Sequence, residues 1–385
     1  MAGGLGVGLA AGWNISNTGA AAATLHDDYR VSLAAVGLLT TALFATHFGA
    51  QIPGGTLIDR FGARRVAGAA LAAIAVGNAL ALVAASYPLA VLARLVVGLG
   101  TGSGFVAGSD WVRAAGGSAA AQGLYGGVSV GGGGLAIGIV PLLIPALGWR
   151  APYVSALGAA VACAALVLVP VALERPRQQA AGFAARDLHP RLLWPFAGLH
   201  TASFGLSVVA GNWIATLLRH DGLSRGAAAG VGAMTLLGGL VTRPFAGMVV
   251  RRRPRSAGAL LTTSIVFGSA GMVTLALPVP AVALAVAAAA VGLAAGVPFA
   301  LAFSGAQRLV PHAPAAAVGV VNSAATFAVL AMTPLVGLTF SLPGHGRIGF
   351  AAMAAAWAAA AAALPAASRA LTGGEGGDKV SGPLV

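Results

Sequence analysis

Arg243 follows a stretch, 226–242, that holds no Arg, Lys, Asp or Glu, and no acid accompanies it in the same apolar segment. An arginine inside a bilayer costs at least about 2.5–3.5 kcal/mol and usually faces a polar cavity or a partner. A guanidinium fork without a carboxylate suits a bidentate oxyanion such as carboxylate, nitrate or phosphate. The plain alternative is an arginine that only snorkels to the interface. His47 and Gln51 lie one helical turn apart in a second uncharged stretch, 31–58. A neutral imidazole at that depth can relay a proton or bind solute, or simply be a satisfied buried histidine. Asn14, Asn17, His200, Asn322 and Thr326, with Thr46 and Asn212, are the other polar side chains deep enough to line a cavity. Each alone equally serves as glue between helices, at about 0.6 kcal/mol per hydrogen bond. Arg94 is a second arginine within an apolar segment, about 9 Å from its start at 1.5 Å per residue and so within snorkelling reach of the surface.

Several enzyme-like matches lose their meaning in context. Gly127-Val128-Ser129-Val130-Gly131 has the spacing of a hydrolase elbow, but it sits inside an apolar run with no strand-to-helix turn and no acid–histidine pair. Gly102-Ser103-Gly104 followed by Ala107 mimics a dinucleotide loop without a preceding strand or a later acidic residue. Close helix packing explains it better. Asn14-Ile15-Ser16 is a glycosylation sequon within a span. No Walker motif or H-E-x-x-H occurs, and the single Cys163 excludes a disulfide within the chain and a metal cluster. Neither enzymatic activity nor a cofactor is expected.

These side chains need elements that carry them through an apolar medium. Of 385 residues, 58% are apolar and 8% charged, against about 25% charged in an ordinary soluble domain, and the mean hydropathy is +0.89. That composition excludes a soluble globular protein. The formal charge of +13 arises from dispersed residues among apolar runs and 57 glycines, so the expected partner is the lipid bilayer and not nucleic acid. A bilayer core of about 30 Å takes about 20 apolar residues per helix. By that ruler the spans are about 4–25, 31–56, 66–85, 88–112, 120–146, 151–173, 192–218, 226–250, 257–277, 281–305, 315–340 and 348–371, each end set to within about 2–4 residues. The uncharged stretch 256–307 divides at Pro278-Val279-Pro280, because proline removes a helical donor and clashes with the preceding turn. The runs are continuous and of helical length, unlike the alternating segments of about ten residues in a barrel. The fold expected is an all-α membrane protein of twelve transmembrane helices.

Basic residues favour the cytoplasmic side. With the amino terminus inside, 15 of the 22 fall on that side and 5 outside, with Arg94 and Arg243 within spans. Both termini are then expected in the cytoplasm, in a bacterial-type plasma membrane; 21 arginines to 1 lysine point to a G+C-rich genome. The first span opens almost at Met1 without a basic leader, unlike a cleaved signal peptide, which suggests a true start upstream.

Sliding the sequence by 192 residues lays Gly55-Thr56-Leu57-Ile58-Asp59-Arg60 on Gly247-Met248-Val249-Val250-Arg251-Arg252 and Gln51 on Arg243. Each hexamer ends a span at a basic loop. Internal repeats of this kind mark transporters, in which one half rocks against the other around a central site. The domains expected are an N-terminal six-helix bundle at 1–173, a cytoplasmic linker at 174–191 and a C-terminal six-helix bundle with a short polar tail at 192–385.

Gly55-Thr56-Leu57-Ile58-Asp59-Arg60-Phe61-Gly62-Ala63-Arg64-Arg65 resembles the G-x-x-x-D-R-x-G-x-R-R loop between helices 2 and 3 of the major facilitator superfamily. Arg94 with Gly98, Gly100 and Gly102 is similar to the family's helix-4 pattern, and Gly148-Trp149-Arg150 to its turn before helix 6. The resemblance implies two six-helix bundles, alternating access and secondary transport by a monomer. It also implies a gating role for Gly55, Asp59, Arg60, Gly62, Arg64 and Arg65. The two glycines allow close approach and a tight turn, and Asp59 can sit against a neighbouring helix N-terminus. Asp110 is expected to join this latch through Arg60 or Arg64, or else to pair with Arg113 one turn on. Arg94 and His47 are the candidates for coupling. Arg243-Pro244-Phe245-Ala246-Gly247 resembles helix 8 of nitrate/nitrite porters, where an arginine contacts the anion. Those porters carry a second arginine where this chain has Gln51, and an asparagine in the glycine-rich helix where it has Gly131–Gly134. The expected function is transport of a small solute, an organic or inorganic anion. A drug or metabolite exporter and a non-transporting solute receptor are the alternatives.

Overall fold

The computed structural model describes residues 1–169 and 190–372, which are helical throughout with no strand among them. In chain order the helices are α1 (Ala2–Ala20), α2 (Ala22–Tyr29), α3 (Leu33–Phe61), α4 (Ala63–Ala81), α5 (Tyr87–Ala114), α6 (Ala119–Leu147), α7 (Ala151–Leu168), α8 (Pro190–His200), α9 (Leu206–His220), α10 (Arg225–Arg252), α11 (Ala257–Ala276), α12 (Ala281–Leu309), α13 (Pro314–Leu338), α14 (Arg347–Ala359) and α15 (Leu364–Thr372). Short irregular turns divide α1 from α2, α8 from α9 and α14 from α15, and each pair completes one crossing. Among the described residues the crossings number twelve, as the apolar runs predict. Of the linker expected at 174–191, only residues 190 and 191 are described.

The helices outrun the apolar segments that predict them. Helix α3 continues to Phe61, past Asp59 and Arg60, and α4 begins at Ala63, so the whole loop shrinks to Gly62 at φ 88°. Only a residue without Cβ takes that turn at no cost. Between α8 and α9, residues Thr201–Gly205 form a π-helical turn, a local widening that commonly marks a functional position.

Within the first half α5 packs between α3 and α4, and α1 lies against α5, α6 and α7; in the second, α12 packs between α10 and α11. The halves meet chiefly where α3 crosses α13 and α6 crosses α10, with lesser contacts of α6 with α12 and α5 with α13. The repeat is visible atom by atom at these crossings. A Cβ on Gly55 would lie 2.7 Å from Ala315 O, and one on Gly247 would lie 2.2 Å from Ala119 O. One turn or so further in, a Cβ on Gly319 would meet Gln51 O at 2.6 Å, and one on Gly123 would meet Arg243 O at 2.2 Å. Backbones that close leave no room for a side chain, so the halves touch main chain to main chain at the end of the molecule that carries Asp59, called here the motif end.

Candidate functional site

Gln51 and Arg243 occupy equivalent places. Each lies about 14–15 Å from the motif end of its helix at 1.5 Å per residue, and each reaches across to the other half. Arg243 is 4% exposed and donates from Nη1 to Gly126 O on α6 at 2.8 Å. Its guanidinium lies 4.5 Å from the ring centre of Phe299 on α12 and 5.6 Å from that of Phe204 in the π turn. No carboxylate faces it among the described residues, and its Nε is buried without a partner. Arg243 is thus held inside the protein and does not snorkel.

Gln51 belongs to a polar chain that joins three helices. His200 Nε2 lies 3.0 Å from Asn322 Oδ1, the Thr326 hydroxyl donates to Asn322 O at 2.9 Å, and Gln51 Nε2 donates to Thr326 Oγ1 at 2.8 Å. Ser323 Oγ closes the chain on Gln51 Oε1 at 3.3 Å. The His200 ring stacks on Phe204, 5.3 Å between centres and 8° between planes, while Phe299 lies 5.6 Å away. His200 and Arg243 therefore share the same two aromatic rings, and His200 Nδ1, like Arg243 Nε, is buried and unpaired. Two hydrogen-bonding atoms without partners in one buried aromatic pocket wall cost about 1–3 kcal/mol each unless something binds there.

The structure brings Arg243, His200, Asn322, Thr326 and Gln51 together, and it places the other polar residues elsewhere. His47 pairs through Nδ1 with Thr101 Oγ1 at 3.0 Å and touches the pocket only through Phe105, whose ring lies 6.4 Å from His47 and 6.3 Å from Phe299. Asn14 and Asn17 turn instead to Arg94, which is fully buried and not at the surface. Arg94 donates to Asn17 Oδ1 at 3.2 Å, Asn14 O at 2.6 Å and Leu39 O at 3.4 Å, while Asn78 Nδ2 donates to Asn14 Oδ1 at 2.8 Å. These four residues form a polar cluster inside the first half.

At the motif end, Asp59 accepts from Ala315 N at 3.1 Å and Ala316 N at 2.9 Å, so a side chain of one half caps the first turn of α13 in the other. Gly55 makes that approach possible one turn earlier. Arg64 donates to Leu168 O at 2.8 Å, the Arg60 guanidinium lies over the Phe61 ring, and Arg65 is exposed. Asp110 receives Arg113 Nε at 2.6 Å. Beside these residues a cavity of about 1150 Å³ opens between the halves. On its lining Gln122, held by Ser109, donates to Gln307 Oε1 at 3.4 Å across the interface.

Phe204, Phe299, Ser323, Asn78, Gln122 and Gln307 are absent from the expectations drawn from sequence. A phenylalanine in an apolar run carries no signal of its own. Gln122 and Gln307 do: an amide in an uncharged stretch is the feature that marks Gln51.

With the geometry in place, the comparisons with known proteins fix the family. The sequence profile of the Major Facilitator Superfamily matches residues 4–333. The chain belongs to this superfamily. Comparison with curated proteins returned no match. Among solved structures it is similar to FucP, a superfamily transporter in the outward conformation, with TM-score 0.72 and 17% identity over 95% of this chain and 97% of that one. It is similar to the proton:xylose symporter XylE, with TM-score 0.68 and 17% identity over 94% and 93%. It is also similar to the human organic anion transporter MFSD10 (TETRAN), with TM-score 0.73 and 16% identity over 94% and 98%. At these identities the likeness establishes the fold alone, two six-helix bundles; the family match makes the chain a multi-pass membrane protein.

Proposed function

We propose that this superfamily member is a secondary transporter that moves a small anion by alternating access, with Arg243 as the residue that binds the anion. The observation that carries this reading is the buried guanidinium of Arg243, which has a carbonyl and two rings for company and no acid. An oxyanion entering the pocket gains a charge-assisted hydrogen bond from Nε, while His200, whose Nε2 donates to Asn322 Oδ1, offers Nδ1 as an acceptor for a hydroxyl or a proton that the solute carries. Asn322 and Thr326 from the same half and Gln51 from the opposite half complete the polar wall, so one ligand touches both halves at once. Such a ligand is what a rocking mechanism requires. The motif-end contacts of Gly55, Asp59 and Gly247 are the gate in this reading, drawn here in its closed state. Asp110, Arg60, Gly62, Arg64 and Arg65 shape that gate. The motif end faces the cytoplasm by the arginine bias of its loops. Anion exchange needs no titrating group, whereas proton symport would use His200 or His47, and Arg94 supports α1 by holding Asn14 and Asn17.

Thermal stabilisation of the detergent-purified protein tests the solute class. A ligand at 100 times its dissociation constant adds about 2.7 kcal/mol of stability. Across small anions, organic acids, sugars and cationic drugs, one anion class is expected to raise the melting temperature of the wild type and not of Arg243→Gln. Stabilisation of both proteins by drugs or neutral sugars would overturn the anion assignment.

A further inference from the structure

The cavity at the motif end has a composition that closing a gate does not require. Five guanidinia line it, those of Arg64, Arg65, Arg113, Arg251 and Arg308, against two carboxylates, Asp59 and Asp110. Both carboxylates are engaged, Asp59 by the α13 amides and Asp110 by Arg113. Among the described residues Arg65 and Arg251 make no hydrogen bond or ion pair, Arg64 spends one donor on Leu168 O, and Arg308 spends one on Ser304 O. Arg64 and Arg65 stand on α4 in one half, and Arg251 and Arg308 stand on α10 and α12 in the other. Two helices also begin at the cavity with no side-chain cap, α4 after Gly62 and α6 after Ser118, so uncapped amides and the positive ends of two dipoles add to the field. Gln307 lines the same cavity, is 6% exposed, and its Nε2 is buried without an acceptor.

Arginines in the last turn of α10 and α12 also suit their own helix dipoles. That accounts for their positions, and the gate for those of Arg64 and Arg65, but neither accounts for the orphaned Gln307 amide or the uncapped α4 and α6. We propose that this cavity is a second binding site, separate from the Arg243 pocket, for a soluble multiply charged phosphate anion such as a diphosphate or triphosphate. Guanidinium forks match phosphate oxygens bidentately, and about 1150 Å³ admits a ligand larger than a monovalent ion. The ligand bridges the two halves at the end where they already touch. It therefore favours the state in which this end is closed, and by linkage that state binds it most tightly. The Gln122–Gln307 contact forms the floor that separates it from Arg243, since Gly123 packs on Arg243 O and Gly126 O accepts from Arg243.

The test is a thermal-shift titration of the full-length protein in nanodiscs of neutral phosphatidylcholine, with pyrophosphate and triphosphate against sulfate and chloride at matched ionic strength. The expected result is a saturable rise in melting temperature with the two polyphosphates only. Arg251→Gln with Arg308→Gln is expected to weaken the midpoint at least tenfold. Gln307→Glu, which keeps the shape and adds a negative charge, is expected to weaken it comparably, and Arg243→Gln to leave it unchanged. Two results would overturn the site: equal shifts with every salt, which is screening alone, or midpoints that the arginine and glutamine variants do not move. A response seen only when phosphatidylglycerol is present would overturn the soluble ligand and give the site to a lipid headgroup. Loss of the response in Arg243→Gln would overturn the separation of the two sites.

Discussion

Arg243 and Arg94 are both buried arginines without an acidic partner, and their surroundings give them opposite duties. Arg94 spends its donors on Asn17, Asn14 O and Leu39 O inside one half, which is a structural arrangement. Arg94→Leu would remove three hydrogen bonds and strand the buried Asn17 Oδ1, at about 1–3 kcal/mol for the stranded group; we expect a fall in melting temperature that no solute restores. Arg243 keeps an unpaired Nε between the halves, so Arg243→Lys is expected to fold and to bind the anion about tenfold to hundredfold more weakly, the worth of a charged hydrogen bond of about 1.5–3 kcal/mol. Isothermal titration of the two proteins checks this. Sequence singles out Arg243, Gln51 and His200 because a polar side chain in an uncharged stretch is conspicuous. It does not reveal which of them meet. Asn14 and Asn17 look as accessible to solute as Asn322 does, and only the direction each faces on its helix separates a neighbour of Arg94 from a neighbour of His200. Phe204 and Phe299, which bring Arg243 and His200 into one pocket, are invisible among other apolar residues.

At the scale of helices, the two crossings are built from repeat-related glycines. Gly55 against Ala315 and Gly247 against Ala119 sit at the ends of hexamers that the 192-residue shift superposes. Their caps differ: Asp59 holds the amides of α13, while its repeat position is Arg251, which cannot do the same for α6. The α3–α13 contact therefore carries more of the closure. Gly55→Val would drive a side chain into the Ala315 backbone, and overpacking of that kind costs about 1–3 kcal/mol. Each half can keep its fold if the crossing opens. In a Cys163→Ser background, maleimide labelling of Ser118→Cys in the cavity is expected to rise severalfold in Gly55→Val and in Asp59→Asn. Unchanged labelling would mean that these contacts do not hold the end shut. The sequence makes the Gly55–Arg65 loop legible as a turn between two helices. The helix Asp59 caps, 256 residues away, is a tertiary fact that spacing along the chain does not contain. The one-residue turn at Gly62 also escapes hydropathy, because charged Asp59 and Arg60 look like loop while remaining helical.

For the whole molecule, one end is closed by main-chain contact and one buried cation lies behind it, within reach of both halves. Twelve crossings follow from apolar runs alone, since a bilayer leaves the backbone few alternatives to helix. Which face of each helix meets its neighbour does not follow, because alanine and glycine cover the helices on every side and leave little amphipathic pattern to read. If the halves rock as rigid bodies, spin labels across the motif end at Arg64→Cys and Arg252→Cys should move apart when labels across the opposite end approach, with solute shifting both populations together. Independent movement of the two ends would contradict rigid-body exchange. The most direct test of anion transport through the Arg243 pocket is counterflow in proteoliposomes, with the anion that stabilises the purified protein supplied unlabelled inside and labelled outside. The expected result is transient accumulation of label by the wild type, much slower accumulation by Arg243→Lys and none by Arg243→Gln. Equal counterflow by Arg243→Gln, or counterflow of a neutral solute in place of the anion, would contradict it.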